Sequence, residues 1–283
     1  MMFNFLAINN AINFVNSFNK KIKVLDLECQ TYEKKNKLEI ILSHKLLKSH
    51  QKNSFKNLFK KKENITTKDF YLALVCLKYD SIDINGDLDS YSFDLNYDLV
   101  NEYKFNNKYD FVINNGTGEH LFDQFSFFKN THELCEKNGL MMHVVPFIGY
   151  VNHAFYNYPP LFFIDLASAN NYEVIKISFC IRDGSEIIID KDKYVDICAQ
   201  IKPKEIYKKT FISKLIEFSK DKIGENFFIL TVLKKIKNSN FVTPLQGKYL
   251  SDIKDNSHIN KYKDQNQGSQ LAAGQVADKK LRI

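Results

Sequence analysis

Cysteine pairs, long apolar runs and a glycine-rich first turn are all missing from this chain, and each absence removes a class of protein. Cys29, Cys76, Cys135, Cys180 and Cys198 are odd in number, far apart and free of any CxxC pair. Neither a disulfide framework nor a zinc knuckle is therefore indicated, and a reducing, cytoplasmic setting is expected. The apolar opening, Met1 to Phe18, is interrupted by Asn4, Asn9, Asn10, Asn13 and Asn16. It falls short of the roughly 20 apolar residues of a membrane helix. It also lacks the leading basic region and small-residue cleavage site of a signal peptide. Glycine supplies only ten of 283 residues, and the turn Glu28-Cys29-Gln30, after the first expected strand, contains none. No residue there offers the close backbone approach that glycine permits.

What is present is a 44% hydrophobic composition, enough to bury a sizeable core. One domain with a tail is expected: an N-terminal helix over residues 1–20, a main domain over 21–238, and a polar tail over 239–283 in which Asp264 to Gln270 is of low complexity. The net charge of +7 comes largely from scattered lysine. Lys45 to Lys62 holds seven lysines and no acid; a solvated helix and loop accounts for it better than a surface for nucleic acid or anionic lipid.

Along the chain, Lys21 to Leu27 reads as a first strand, and Leu38 to Leu47 has helical apolar spacing. Thr66-Thr67-Lys68-Asp69 offers capping for a helix through Leu77. Tyr79 to Ile84 and Tyr91 to Asn96 read as second and third strands. Tyr109 to Ile113 is a compact apolar strand that runs into Asn114-Asn115-Gly116-Thr117-Gly118-Glu119-His120. Leu121 to Glu136 follows with helical spacing, Lys137-Asn138-Gly139 looks like a glycine C-cap, and Leu140 to Phe147 is another buried strand. Strand, polar turn, helix and strand make a βαβ unit, and ligands of such sheets bind beyond the carboxyl ends of the strands. An aromatic loop around Asn152 and His153 comes next. Helix Leu161 to Ala169, strand Tyr172 to Cys180, an excursion with a hairpin near Glu186 to Asp190, helix Pro203 to Ile223 and strand Asn226 to Lys235 complete the pattern.

These motifs resemble the class I S-adenosylmethionine-dependent methyltransferases over about Lys21 to Lys235. Lys23-Val-Leu-Asp-Leu27 is similar to the family's first motif, Asp80-Ser-Ile-Asp83 to its second strand with an acid at the tip, and Phe93-Asp-Leu-Asn96 to its third-strand segment. Tyr109 to His120, Asn138 to Pro146 and His153-Ala-Phe-Tyr156 are similar to a methyltransferase-like subgroup, some of it associated with bacterial glycan assembly. The resemblance implies an α/β fold, a three-layer Rossmann-like sheet of seven mostly parallel strands with an antiparallel last strand. It implies S-adenosyl-L-methionine as cofactor and a small-molecule acceptor, a sugar or glycan precursor among the options, methylated on oxygen or nitrogen. Asp83 would hold the ribose hydroxyls, Asp94 and Leu95 would lie near adenine, and Asp26, Glu28, Gln30, Asn115 and Gly116 would complete the cofactor site. Glu119, His120 and His153 would serve catalysis.

Blander roles stand beside these: turn acids for Asp83 and Asp94, helix capping for Glu119 and His120, and a core position for His143. Glu119, His120, His143 and His153 are metal-ligand types, but no HxxxH or HxH spacing forces shared ligation, and no metal is expected. Because the first motif lacks glycine, a non-catalytic binding or scaffold protein on the same fold is the competing expectation.

Overall fold

The computed structural model describes residues 5–33, 41–42, 44–62, 64–74, 76–150, 152–181, 186–188 and 227–246. A 7-stranded sheet is built from β1 (Lys23–Asp26), β4 (Lys78–Ser81), β5 (Tyr109–Asn115), β6 (Cys135–Ile148), β7 (Tyr172–Ile181), β8 (Glu186–Ile188) and β9 (Phe227–Lys235), in the order β4-β1-β5-β6-β9-β7-β8. The β4, β1, β5 and β6 neighbours pair in parallel, whereas β9 is antiparallel to both β6 and β7, and β8 is antiparallel to β7. The last long strand is thus reversed, as the resemblance implies. Every residue of β5 is buried, which is why Phe111, Val112 and Ile113 follow one another without a polar alternation.

Apolar side chains from alternate strand positions separate into two clusters. Val24, Phe111, Met142 and Leu230 join residues of α1 (Phe5–Ser17), α2 (Ser49–Lys61) and α3 (Thr67–Ala73). Leu25, Val112, Met141 and Ile229 join α4 (Leu99–Tyr103), α5 (Gln124–Leu134) and α6 (Pro160–Asn170). The period-2 alternation of strands sends neighbours to opposite faces, so each face receives its own helices.

The lysine-rich stretch shows why charge alone misleads. Helix α2 buries Gln51, Phe55 and Phe59, four residues apart, while Lys56, Lys60 and Lys61 face solvent. Two short strands, β2 (Thr31–Glu33) and β3 (Asn64–Thr66), form an antiparallel pair, an element that the sequence pattern gave no sign of. Thr66 caps α3 by accepting from Asp69 N at 3.1 Å, and the Asp69 carboxylate accepts from Thr66 N at 3.0 Å, as its spacing predicts.

Several expectations are corrected. The third strand is reduced to a single parallel bridge between Ile82 and Tyr91, because Asp94 closes a turn where the strand would continue. The expected helix from Leu121 begins later, at Gln124, with Asp123 accepting from Ser126 N at its cap. No glycine ends it: β6 starts directly at Cys135, Asn138 takes the left-handed conformation with φ 65, and a Cβ on Gly139 would lie 2.9 Å from both Cys135 Sγ and Glu136 O. Helical structure at residues 41–42 does not reach Leu47. The start of the expected tail packs onto the domain: Ser239 O lies 2.7 Å from His132 Nε2, and Val242 N donates to Asn170 Oδ1 at 2.8 Å. The helix expected over Pro203 to Ile223 and the low-complexity segment lie outside the described residues. Among the described residues, no helix is long and apolar enough to cross a membrane.

Phe55→Ala is expected to lower stability by about 3–5 kcal/mol in urea unfolding, whereas Lys56→Ala on the same helix changes it by less than about 0.5 kcal/mol. Equal small losses would show that α2 does not pack.

Candidate functional site

The chain goes from β1 to β4 on one side and then returns to place β5 on the other side of β1. Doubly wound sheets take ligands at such a reversal of winding, here beyond the carboxyl ends of β1 and β5. The register sets Asp26 level with Ser81 and Ile113, and Asn115 level with Val144. Four turns meet at that rim: 27–30 after β1, 82–87 after β4, 116–120 after β5 and 152–158 after β6.

The turn after β5 is shaped by its amide and glycines. Asn114 Oδ1 accepts from Thr117 N at 3.2 Å and Gly118 N at 3.0 Å, an Asx arrangement that folds the chain back. Asn115 is buried and Gly116 has φ 92, which only glycine adopts without strain. Gly118 serves packing: a Cβ there would meet Phe127 Cε1 at 2.5 Å. A 3-10 turn over Gly118–His120 then presents Glu119 and His120. Since Asp123 caps α5, these two residues do not.

The Glu119 backbone carbonyl accepts from Phe155 N at 3.0 Å and Tyr156 N at 3.2 Å. These bonds clamp the aromatic loop after β6 onto the turn, and Tyr158 N closes the loop by donating to Pro146 O at 2.8 Å. His153 is thereby brought to the site, its Nε2 3.9 Å from Glu119 Oε1 and its ring 4.9 Å from that of His120. Glu119 is fully buried, and neither of its carboxylate oxygens has a hydrogen-bond partner among the described residues. Burial, with the Glu28 carboxyl adding to it, pushes its pKa up to about 8. Burial and the neighbouring His153 lower that of His120.

On the β1 side, Asp26 is buried with Oδ2 3.1 Å from the Tyr79 hydroxyl, and its Oδ1 has no partner among the described residues. Burial, then the charge of Glu28, holds it well above the usual carboxylate range. Glu28 Oε2 accepts from Gln30 Nε2 at 2.5 Å. Burial pushes Glu28 up to about 7, a positive charge and the Gln30 amide opposing and Asp83 adding. Asp83 is half-buried at the tip of β4, with Oδ1 accepting from Asn85 N at 2.8 Å. Asp94 commits Oδ1 to Asn96 N and Nδ2 at 2.9 and 2.8 Å, and Leu95 beside it is buried.

The structure thus joins Glu119, His120 and His153 closely, and places Asp26, Glu28, Gln30 and Asp83 at one rim. His143 lies apart in β6, packed on Phe128 and Phe163 with Nδ1 3.2 Å from Asn114 Nδ2. Burial alone lowers its pKa to about 3. Two features escaped sequence reasoning. Thr117 Oγ1 is buried without a partner among the described residues, and Phe122 and Phe155 form an edge-on pair, 74% and 67% exposed, beside the histidines. The aromatic density of the loop was the only signal for the second.

No protein-family model matches the chain, and no curated protein matches its sequence. Among solved structures, it is similar to the O-methyltransferase of a trans-AT polyketide synthase multienzyme from Brevibacillus brevis, in complex with S-adenosyl-L-homocysteine. That match has 14% identity and a TM-score of 0.38, over 83% of this chain and 74% of the other. A SAM-dependent methyltransferase from Archaeoglobus fulgidus matches at 13% identity and a TM-score of 0.41, over 81% and 93%. Coclaurine N-methyltransferase bound to N-methylheliamine and SAH matches at 14% and 0.37, over 82% and 72%. The likenesses are distant, and the chemistry of this chain follows from its own strand order and side chains.

Below pH 4.5 a Glu28 carboxyl is protonated in both folded and unfolded chains. Between pH 4.5 and about 7 the unfolded chain releases that proton while the folded one keeps it, so the folded state loses stability as pH rises through this window. Glu28→Gln is expected to flatten the fall in Tm between pH 5 and 8. An unchanged slope would show that Glu28 is ionised at its ordinary pH.

Proposed function

We propose that this chain is an S-adenosyl-L-methionine-dependent methyltransferase that acts on an oxygen or nitrogen of a small molecule. One observation carries the reading: at the winding reversal buried carboxyls gather, and burial raises their pKa values above the usual carboxylate range. Asp26 Oδ1 and both Glu119 oxygens have no hydrogen-bond partner among the described residues, and Glu28 sits among Asp26, Asp83 and Glu119 with its pKa raised to about 7. Such a pocket fits a ligand that carries ammonium and sulfonium charges, because each buried anion is stabilised by a cation placed beside it.

The residues fit the cofactor in kind. Asp83, with two acceptor oxygens at the strand tip, holds the ribose diol. Glu28 and Gln30 take the ammonium end, Asn115 and Gly116 line the approach, and Asp94 with Leu95 borders the adenine. When bound, the cofactor supplies an electrophilic methyl group. On the acceptor side, His120 and His153 present imidazole nitrogens to the acceptor, with the buried Glu119 carboxyl beside them. The exposed rings of Phe122 and Phe155 flank this end, and exposed apolar side chains bordering a polar cleft mark ligand surfaces. A sugar or glycan precursor, with one face of C–H groups and an edge of hydroxyls, suits that combination. Four described cysteines are free, in keeping with a reducing cytoplasmic setting.

A scaffold that has kept the sheet and lost the cofactor is the second reading, favoured by the Glu28–Gln30 hydrogen bond across a glycine-free turn. Calorimetric titration with S-adenosylmethionine and S-adenosylhomocysteine separates the two. The enzyme reading predicts binding that weakens at least about 10-fold in Asp83→Ala, a loss equivalent to about 1.4 kcal/mol. An absence of heat at millimolar ligand supports the scaffold.

A further inference from the structure

We infer that Glu119, His120 and His153 form a binding site for a divalent transition-metal ion of the zinc type. The spacing of these residues along the chain gave no reason to expect one. The site arises between two turns, drawn together by the two backbone bonds from Phe155 and Tyr156 to the Glu119 carbonyl.

Each of the three residues offers one ligand atom, and these atoms all lie within 4.8 Å of one another. An ion bound at about 2.0–2.2 Å separates tetrahedral ligands by roughly 3.4 Å. The group has to close by about 1 Å or so, and rotation of two exposed imidazoles supplies that movement. The independent indication is Glu119 itself: its carboxylate is fully buried, is aimed at the histidines, and has no hydrogen-bond partner among the described residues. His153 at 3.9 Å is too far to donate a hydrogen bond to it. A buried carboxyl with neither oxygen hydrogen-bonded is costly whether or not it holds its proton, and a divalent cation shared with the two imidazoles would take the proton's place and remove the cost.

Two imidazole nitrogens and one carboxylate oxygen favour zinc, iron, cobalt or nickel over magnesium and calcium, which prefer all-oxygen surroundings. Three protein ligands also leave coordination positions open for water or for an oxygen of the acceptor. The inference rests on the three side chains and not on cofactor binding.

The test is titration of the chelator-treated full chain with zinc chloride, without cofactor or acceptor, alongside the visible absorption of cobalt(II). One equivalent of zinc is expected to bind. His120→Ala and His153→Ala are each expected to weaken it by roughly 100-fold, at least the effect of losing an outer-sphere partner, and to abolish the cobalt bands. His50→Ala, on α2 and away from the three ligands, is expected to bind as the wild type does. Glu119→Gln should weaken binding as well; the two exposed histidine variants decide the matter if it fails to fold. Absence of stoichiometric binding, or binding equal in wild type and both histidine variants, overturns the inference. Loss of S-adenosylmethionine binding with zinc binding intact would instead remove the methyltransferase reading and leave this one standing.

Discussion

The feature on which the site depends is the crowding of buried carboxyls around Glu28. Asp26, Asp83 and Glu119 each feel or exert charge there, although the chain as a whole is basic at +7. Lys56, Lys60 and Lys61 of α2 face solvent, whereas Asp26 and Glu119 at the rim are buried. A protein interior does not hold several carboxylates together unless protons or cations share the space. Protons meet that condition while the pKa values stand raised, and the two proposed occupants, a sulfonium cofactor and a divalent metal ion, would meet it in their place.

Backbone bonds give the rim its rigidity. Asn114 orders the turn after β5, Gly118 lets Phe127 pack beneath it, and the Glu119 carbonyl holds the aromatic loop. The polar groups at the centre consequently sit on a frame that does not depend on them. The glycine-free turn after β1 is held differently, by Gln30 on Glu28 and by Gln30 O accepting from Thr67 N at 2.9 Å. It ties the first turn to the cap of α3, so hydrogen bonds fix a segment that glycine would otherwise have left open.

The order of strands and helices was legible because Phe111 to Ile113 of β5 and Leu140 to Met142 of β6 are apolar runs and because Thr66 and Asp69 carry an unmistakable cap. Boundaries were less so: Asn138 accepts a left-handed conformation that was ascribed to a glycine helix cap, and Asp94 ends the third strand by bonding Asn96. The hairpin of β2 and β3 escaped notice since three-residue strands leave no periodicity to read. For the site, residue types and turns were visible, and the meeting of His153 with Glu119 and His120 was not. That contact depends on backbone bonds between segments more than thirty residues apart, which no local spacing encodes. The burial of Glu119 was equally hidden, because a glutamate in a polar turn reads as exposed.

The proton balance of cofactor binding probes the central claim most directly. Calorimetric titrations with S-adenosylmethionine at pH 6.5, in buffers of different ionisation enthalpy, count the protons released. A cation entering beside Glu28, whose pKa stands at about 7 instead of 4.5, lowers that pKa and expels its proton. The account predicts release of a substantial fraction of a proton that disappears in Glu28→Gln. Binding with no proton release, or release undiminished in the variant, would contradict it.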